Sequence, residues 1–354
     1  MAYILVINPG STSTKIAIFN DACLVFEKKV YHSLEKILSY PDIISQLDFR
    51  KDGIIEIIND NGFNLKDLHA VCGRGGMLKP IKSGTYLINQ SMVEDLKKAR
   101  YGEHASNLGS LIAFEIALDL NIPAYTVDPV SVDEMESIAR ISGMPLIIRQ
   151  SFFHALNHKA VAKTVAKRFN KNYEDMNLII AHLGGGISIA AHHYGRVVDV
   201  NESLEGDGPM TPERSGDVPL GQLYKMCFSG KYTINEIRRM NHGQGGLAAY
   251  LGTNNADEIV RRINNGDEYA KLIYDAMIYQ IAKEIGAYAT VLYGEVDFIV
   301  LTGGLAYDDY LVNNLIKRII FIAEVLRYPG ENEMLSLANG ALQVITNHEK
   351  ALIY

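Results

Sequence analysis

A chain of 354 residues, 48% hydrophobic and 21% charged, has the composition of an ordinary globular protein and a length that suggests two domains. A net charge of −7 argues against non-specific nucleic-acid binding, which a positive surface drives. Cys23, Cys72 and Cys227 form no Cys-x-x-Cys, the N-terminus lacks a signal peptide's basic start, and no apolar run approaches the roughly 18 residues of a membrane helix; a cytoplasmic protein is expected.

Ile4–Ile7 is a short apolar run of the kind a doubly buried strand shows, and it leads into Asn8-Pro9-Gly10-Ser11-Thr12-Ser13-Thr14-Lys15. Ile16–Phe19 reads as a second strand and Cys23–Tyr31 as a third. Ser33–Asp60 has helical spacing, with interruptions expected at Tyr40-Pro41 and at Gly53. Leu68–Cys72 is a strand candidate ending in Gly73-Arg74-Gly75-Gly76, which places Arg74 on an exposed loop suited to an anion. Gln90–Arg100 and Asn107–Leu120 read as helices, and Ala124–Asp128 as a strand closed by an acid. Ligands of open α/β sheets gather at such strand ends, so Asp128 is a candidate metal or water contact, or else a turn aspartate.

Ser151–Phe169 reads as a helix with His154 and His158 at i, i+4. That spacing raises a metal pair, although the zinc-protease pattern fails at Ala155. Leu178–Leu183 runs into Gly184, Gly185 and Gly186, and period-two alternation resumes at Ile187. The glycines open a strand, not a helix, and no Gly-Lys-Ser/Thr occurs, which excludes the dinucleotide fingerprint and the Walker loop. A glycine-cornered hairpin that holds phosphate and a plain tight turn both fit the triplet. The long loop Asn201–Gly221, with Gly206, Gly208, Pro209, Pro212, Gly216 and Pro219, presents Arg214 and is of a length that usually serves function. His242–Gly246 reads as a loop, Asp257–Arg262, Glu268–Tyr293 and Leu311–Leu326 as helices, Phe298–Leu301 as a strand entering Thr302-Gly303-Gly304, and Met334–Asn347 as a last helix. A strand running into a small-residue loop at three remote points suggests a duplicated fold.

Five segments together resemble the acetate kinase family of the actin-like, sugar-kinase-like phosphotransferases, over the whole chain. They are Asn8–Lys15, His182–Ser188, Pro212–Asp217, Leu301–Ala306 and Tyr328–Met334. Gly185 where acetate kinases usually carry Asn, and Pro329-Gly330-Glu331-Asn332-Glu333, point to the butyrate kinase branch. The resemblance implies an α/β fold of two actin-like domains of duplicated βββαβαβα topology with an interdomain active-site cleft. The expected domains are 1–149 joined by the C-terminal helix 334–354, and 150–333.

It further implies reversible Mg²⁺-dependent transfer between ATP and a short-chain carboxylate, in a homodimer or higher homo-oligomer that binds neither nucleic acid nor membrane. Asn8, Ser13 and Lys15 fall in a first phosphate loop, His182 and Gly184–Gly186 in a second, and Gly303 and Gly304 in an adenosine loop. Arg74 and Arg214 match active-site arginines, and His154 a transition-state histidine. Asp128 and Glu333 match acids tied to magnesium and catalysis, and His104 and Phe153 residues near the substrate. Asn255 and Asp257 stand where the family has Asp and Arg on the nucleoside; Asn255 can reach a ribose, but Asp257 cannot stack on adenine. Acetate or propionate kinase is the nearer alternative. A metal-dependent carbamoyltransferase using His154 and His158, or a non-catalytic actin-like assembly protein, stands further off.

Overall fold

The computed structural model describes residues 1–204 and 207–354. They form two compact units, one of Met1–Asp133, Ala155–Lys159 and Asn332–Tyr354, the other of Glu134–His154 and Ala160–Glu331. The first unit runs β1 (Tyr3–Pro9), β2 (Ser13–Asn20), β3 (Cys23–Tyr31), α1 (Leu34–Leu38), α2 (Leu47–Asp60), β4 (Ala70–Gly73), β5 (Thr85–Leu87), α3 (Gln90–Lys97), α4 (Asn107–Leu120) and β6 (Ala124–Val127). Next comes α5 (Ala155–Arg168), whose start belongs to the first unit and whose remainder belongs to the second. The second unit continues with β7 (Asn177–Leu183), β8 (Ile187–His193), β9 (Arg196–Val200), α6 (Leu220–Cys227), α7 (Ile234–Asn241), α8 (Gly246–Leu251), α9 (Ala256–Asn264), α10 (Glu268–Val291), β10 (Phe298–Gly303), α11 (Asp309–Ile319) and β11 (Glu324–Pro329). The chain then returns to the first unit with α12 (Glu333–Ile345) and β12 (Leu352–Ile353).

One strand order occurs twice. The first sheet contains β3-β2-β1-β4-β6, extended by β5 and β12, and the second is β9-β8-β7-β10-β11. In each, an antiparallel hairpin pair is joined to parallel strands. Even the irregularity repeats, because the register slips at Ile18/Phe19 in one sheet and at Ala191/His192 in the other. This is the duplicated actin-like α/β topology expected above.

Burial explains the unbroken apolar runs. Ile4 and Val6 pack on Leu337, Ala338 and Ala341 of α12, while Leu5 and Ile7 meet Ile54 and Ile58 of α2 and Leu111 of α4. In the second unit Leu178 and Ile180 pack with Ala162 and Val165 of α5, and Ile179 and Ala181 with Met277 and Ile281 of α10. Strands covered on both faces leave no alternate positions for polar residues. Among the described residues no helix is long and apolar enough to cross a membrane.

The elements differ from the sequence expectation at several places. Gly53 lies inside α2 without breaking it, because buried Ile54 and Ile58 hold the turn against the core. The helix expected over Leu311–Leu326 stops at Ile319; the chain then pairs with β10 as β11, Phe298 opposite Glu324, and Leu326 is buried as a strand residue. The helices α6, α7 and α8 fall in segments that carried no helix expectation. Gly206 of the long loop lies outside the described residues.

On α10, Glu284 has its carboxyl pushed up to about 7, first by burial and then by Asp217 and Asp207. A carboxyl that holds its proton more tightly when folded stabilises most below its unfolded value of 4.5, and that stability is lost as pH rises toward 7. Glu284→Gln should therefore stabilise the protein by about 1–3 kcal/mol near pH 8 and by clearly less near pH 5, read from urea midpoints at both.

Candidate active site

In the first unit the parallel strand ends carry the polar groups. Asn8, near the end of β1, donates from Nδ2 to Glu333 Oε2 at 2.7 Å. Arg74 follows β4; its backbone amide donates to Ile7 O at 2.9 Å and its Nη1 to the same Glu333 oxygen at 2.6 Å. Glu333 opens α12, where the helix N-terminus favours an anion. Arg74 is half-buried, not freely exposed on its loop as expected, and the anion it touches is the protein's own. The flanking glycines are there for space: a Cβ on Gly73 would overlap the Gly109 backbone, one on Gly75 Pro129 and Thr126, and one on Gly76 Asn107.

Asp128, just past β6, has a left-handed backbone with φ of 38°. Its Oδ1 accepts from Ser83 Oγ and the Gly84 amide, each at 2.7 Å, so that oxygen organises the 83–84 turn. Ser13 begins β2 and its carbonyl accepts the Gly10 amide at 2.7 Å, closing the first loop. Other partners hold the remaining candidates. Lys15 sits on β2 and pairs with Glu27 of β3 at 3.0 Å, and exposed His104 meets Ser106 Oγ through Nδ1 at 2.8 Å.

In the second unit His182, near the end of β7, is buried and has Nε2 3.0 Å from Glu331 Oε1. The His154 ring stacks on it, centroids 3.9 Å apart and planes 14° from parallel, and His154 Nδ1 meets Ser188 Oγ of β8 at 2.8 Å. Phe153 beside it is buried. The glycine loop connects β7 to β8, and the space a Cβ would fill at Gly186 is occupied by the guanidinium of Arg214. Thr211 fastens the two segments together, its Oγ1 donating to Gly185 O at 2.7 Å and accepting the Arg214 amide at 2.9 Å. His242 Nε2 lies 3.3 Å from Arg214 Nη2.

Gly303 ends β10 with φ of 86°, and a Cβ there would strike the Leu183 backbone of β7. Gly303 and Gly330 exchange two backbone hydrogen bonds, of 3.2 and 2.9 Å, and Gly304 opens a 3₁₀ turn with open space around its Cβ position. Asn255 is the N-cap of α9, its Oδ1 accepting the Glu258 amide at 3.2 Å, and Asp257 lies in that helix's first turn. These contacts add Glu331, Ser188, Thr211 and His242 to the candidates. Glu331, Ser188 and Thr211 sit inside or beside the quoted motifs, whereas His242 gave no separate signal.

Among the described residues no group of three or more His, Cys, Asp or Glu side chains is arranged to hold a metal. His154 instead has a ring and a hydroxyl as neighbours, and His158 is fully buried. Magnesium asks less of the protein, since it keeps its waters and binds through one or two carboxylates plus substrate phosphates. Glu333 suits that need, because its Oε2 is taken by Asn8 and Arg74 while Oε1 makes no hydrogen bond among the described residues.

A model of the acetokinase family matches residues 137–352. An acetate kinase from Porphyromonas gingivalis superposes with a TM-score of 0.80 at 21% identity, covering 98% of this chain and 100% of its own. A propionate kinase from Francisella tularensis subsp. tularensis SCHU S4 gives 0.75 at 21%, covering 96% and 99%. An acetate kinase from Entamoeba histolytica gives 0.76 at 17%, covering 96% and 98%.

The two glycine corners should respond differently to a methyl group. In Gly186→Ala the obstacle is a flexible side chain, so a crystal structure should show Arg214 displaced while the protein stays folded. In Gly303→Ala the obstacle is backbone at a left-handed residue, and urea unfolding should show a loss of about 2–4 kcal/mol.

Proposed function

Because the chain belongs to the acetokinase family, we propose that it is a carboxylate kinase, moving the γ-phosphoryl of ATP reversibly onto a short-chain carboxylate to give ADP and an acyl phosphate. In this reading it works in the cytoplasm as a homodimer or larger homo-oligomer, and its preferred acid has four carbons, straight or branched. The observation that carries the reading is the seat of Arg214 in the cavity left by Gly186. A guanidinium set into a glycine loop at a strand end is suited to oxygens that gain charge as a phosphoryl group moves.

The acceptor needs no general base, since a carboxylic acid with a pKa of about 4.3 is already ionised at neutral pH. A carboxylate oxygen forms the new O–P bond as the bond from the γ-phosphorus to the β,γ-bridging oxygen breaks, and the electron pair leaves with ADP. The work left to the protein is to bring two anions together and neutralise charge in flight. Arg214, the stacked His154 and His182, and Arg74 are assigned to that task. The loops at Asn8–Ser13, Gly184–Gly186 and Gly303–Gly304 are assigned to ATP, with Asn255 at its ribose. His104 and Phe153 are assigned to the acid. Glu333 and Asp128 would hold Mg²⁺ through water, and the ion would supply positive charge against the phosphate oxygens.

The four-carbon preference is supported by Gly185 in place of the usual Asn and by the Pro329–Glu333 segment. A second reading, acetate or propionate, is favoured by the names of the two structural relatives with the same 21% identity. A methylene in an apolar pocket is worth only about 1–3 kcal/mol, so a graded preference over neighbouring acids is expected. Acyl hydroxamate formation with ATP and Mg²⁺ across C2 to C6 acids separates the readings. A maximum at C4 or a branched C4–C5 acid supports the first, a maximum at C2 or C3 the second, and no product with any acid sinks both.

Arg214→Ala should lower kcat by about 10³–10⁵ in the same assay, the range of arginine fingers. Near-normal kcat would remove Arg214 from the reaction.

A further inference from the structure

Arg50 stands on the first turns of α2 and is only 2% exposed. Its Nε and Nη2 donate to Gln46 Oε1, at 3.1 and 2.8 Å, which locks the guanidinium plane to its own helix. Nη1 then reaches Gly10 O at 2.8 Å, Ser13 O at 3.2 Å and Thr14 Oγ1 at 3.1 Å, and Nη2 reaches Ser11 O at 2.8 Å. Every one of these acceptors is neutral. A buried charge ordinarily sits on a counter-ion, because desolvation costs several kcal/mol per ion. Burial accordingly lowers the Arg50 pKa to about 10.

The geometry on the other side of the loop supplies a reason for so expensive an arrangement. Peptide planes among the described residues are all trans, so a carbonyl turned inward turns the amide of the next residue outward. With the Gly10 and Ser11 carbonyls on Arg50, the Ser11 and Thr12 amides face away from it. Both residues are exposed, and neither amide donates to another group among the described residues. The Thr12 carbonyl is held from the side by the His32 amide at 2.9 Å, which fixes the remaining peptide. Two adjacent free amides with an unneutralised cation behind them make an anion nest.

We propose that Arg50 is the positioning residue of the Gly10–Thr14 loop, holding the Ser11 and Thr12 amides toward phosphoryl oxygens and lending them its uncompensated charge. This rests on the phosphotransferase reading and adds to it the group that shapes its first loop. A residue with only a structural role would alter stability and the active fraction, and would leave affinities where they were.

The test uses the full-length protein and its Arg50→Gln and Arg50→Lys variants. Inorganic phosphate is titrated calorimetrically without any acid, and KM for ATP and for the carboxylate is measured separately. The expected result is a rise of about tenfold or more in phosphate Kd and ATP KM for Arg50→Gln. A smaller rise is expected for Arg50→Lys, which keeps the charge but loses the fork, with KM for the acid changed by less than about twofold. Unchanged phosphate Kd and ATP KM in folded Arg50→Gln overturn the proposal; should that variant not fold, unchanged values in Arg50→Lys overturn it. A wild-type protein that makes acyl phosphate but does not bind inorganic phosphate also overturns it and leaves the kinase standing. A wild-type protein that binds phosphate through Arg50 yet phosphorylates no acid supports the proposal and removes the carboxylate kinase reading.

Discussion

One carboxylate oxygen holds the two ends of the chain in register. Glu333 Oε2 takes hydrogen bonds from Asn8, on the first strand, and from Arg74, just past the fourth, although Asn8 and Glu333 are 325 residues apart. Exposed ion pairs contribute about 0–1 kcal/mol, whereas removing one partner of a buried pair costs roughly 3–5 kcal/mol. The pair here lies nearer the second case, with side-chain exposures of 22% and 8%. α12 is thereby fixed beneath β1, where Leu337, Ala338 and Ala341 complete a face that the first 133 residues leave open. The same oxygen fixes both side chains, Asn8 and Arg74, at the strand ends.

Glycine acts by close approach more than by flexibility. Gly73 lets β4 touch α4 at Gly109, Gly303 lets β10 touch the end of β7, and Gly186 lets a guanidinium stand where a methyl would be. Only Gly303 among these three also needs a left-handed backbone. The first two bring a strand end close to a neighbouring helix or strand, and the third leaves room for a cation against the glycine loop. One chemical property, the absent Cβ, thus serves close backbone packing at two positions and makes room for a cation at a third.

What could be read in the sequence was what repeats or is buried on both faces. The apolar runs at Ile4–Ile7, Leu178–Leu183 and Phe298–Leu301 each became a strand because their surroundings leave no room for polar residues. β11 escaped because Leu326 suits a helix period as well as a strand, and only pairing with β10 decides between them. α7 had a legible signal, the capping box of Thr233 and Glu236. The candidate site was legible where rare combinations stand out in the sequence, such as Gly184–Gly186 or Arg74 among glycines. It was not legible at Arg50, since Phe49-Arg50-Lys51-Asp52 reads as a solvated helix face. Lys51 instead reaches exposed Asp48 at 3.3 Å and Glu115 of α4 at 2.8 Å, while Arg50 one residue earlier turns fully inward. No local pattern distinguishes two adjacent cations whose fates depend on a loop forty residues away.

The duplication sharpens that contrast, because the two units solve one problem in opposite ways. Each has a loop between the first and second strands of its hairpin, and each loop must hold its amides in place without a regular ladder. In the second unit Thr211 ties the Gly185 carbonyl, and half-buried Arg214 comes to the face where Gly186 leaves space. In the first unit the cation lies beneath the loop, fully covered, and grips the carbonyls. A cation on the open face can follow charge that moves during a reaction. A cation sealed beneath a loop cannot move, and its field is constant. Topological equivalence therefore does not carry over to chemical equivalence: the first loop has its cation sealed beneath its carbonyls, and the second has one set against its glycine corner.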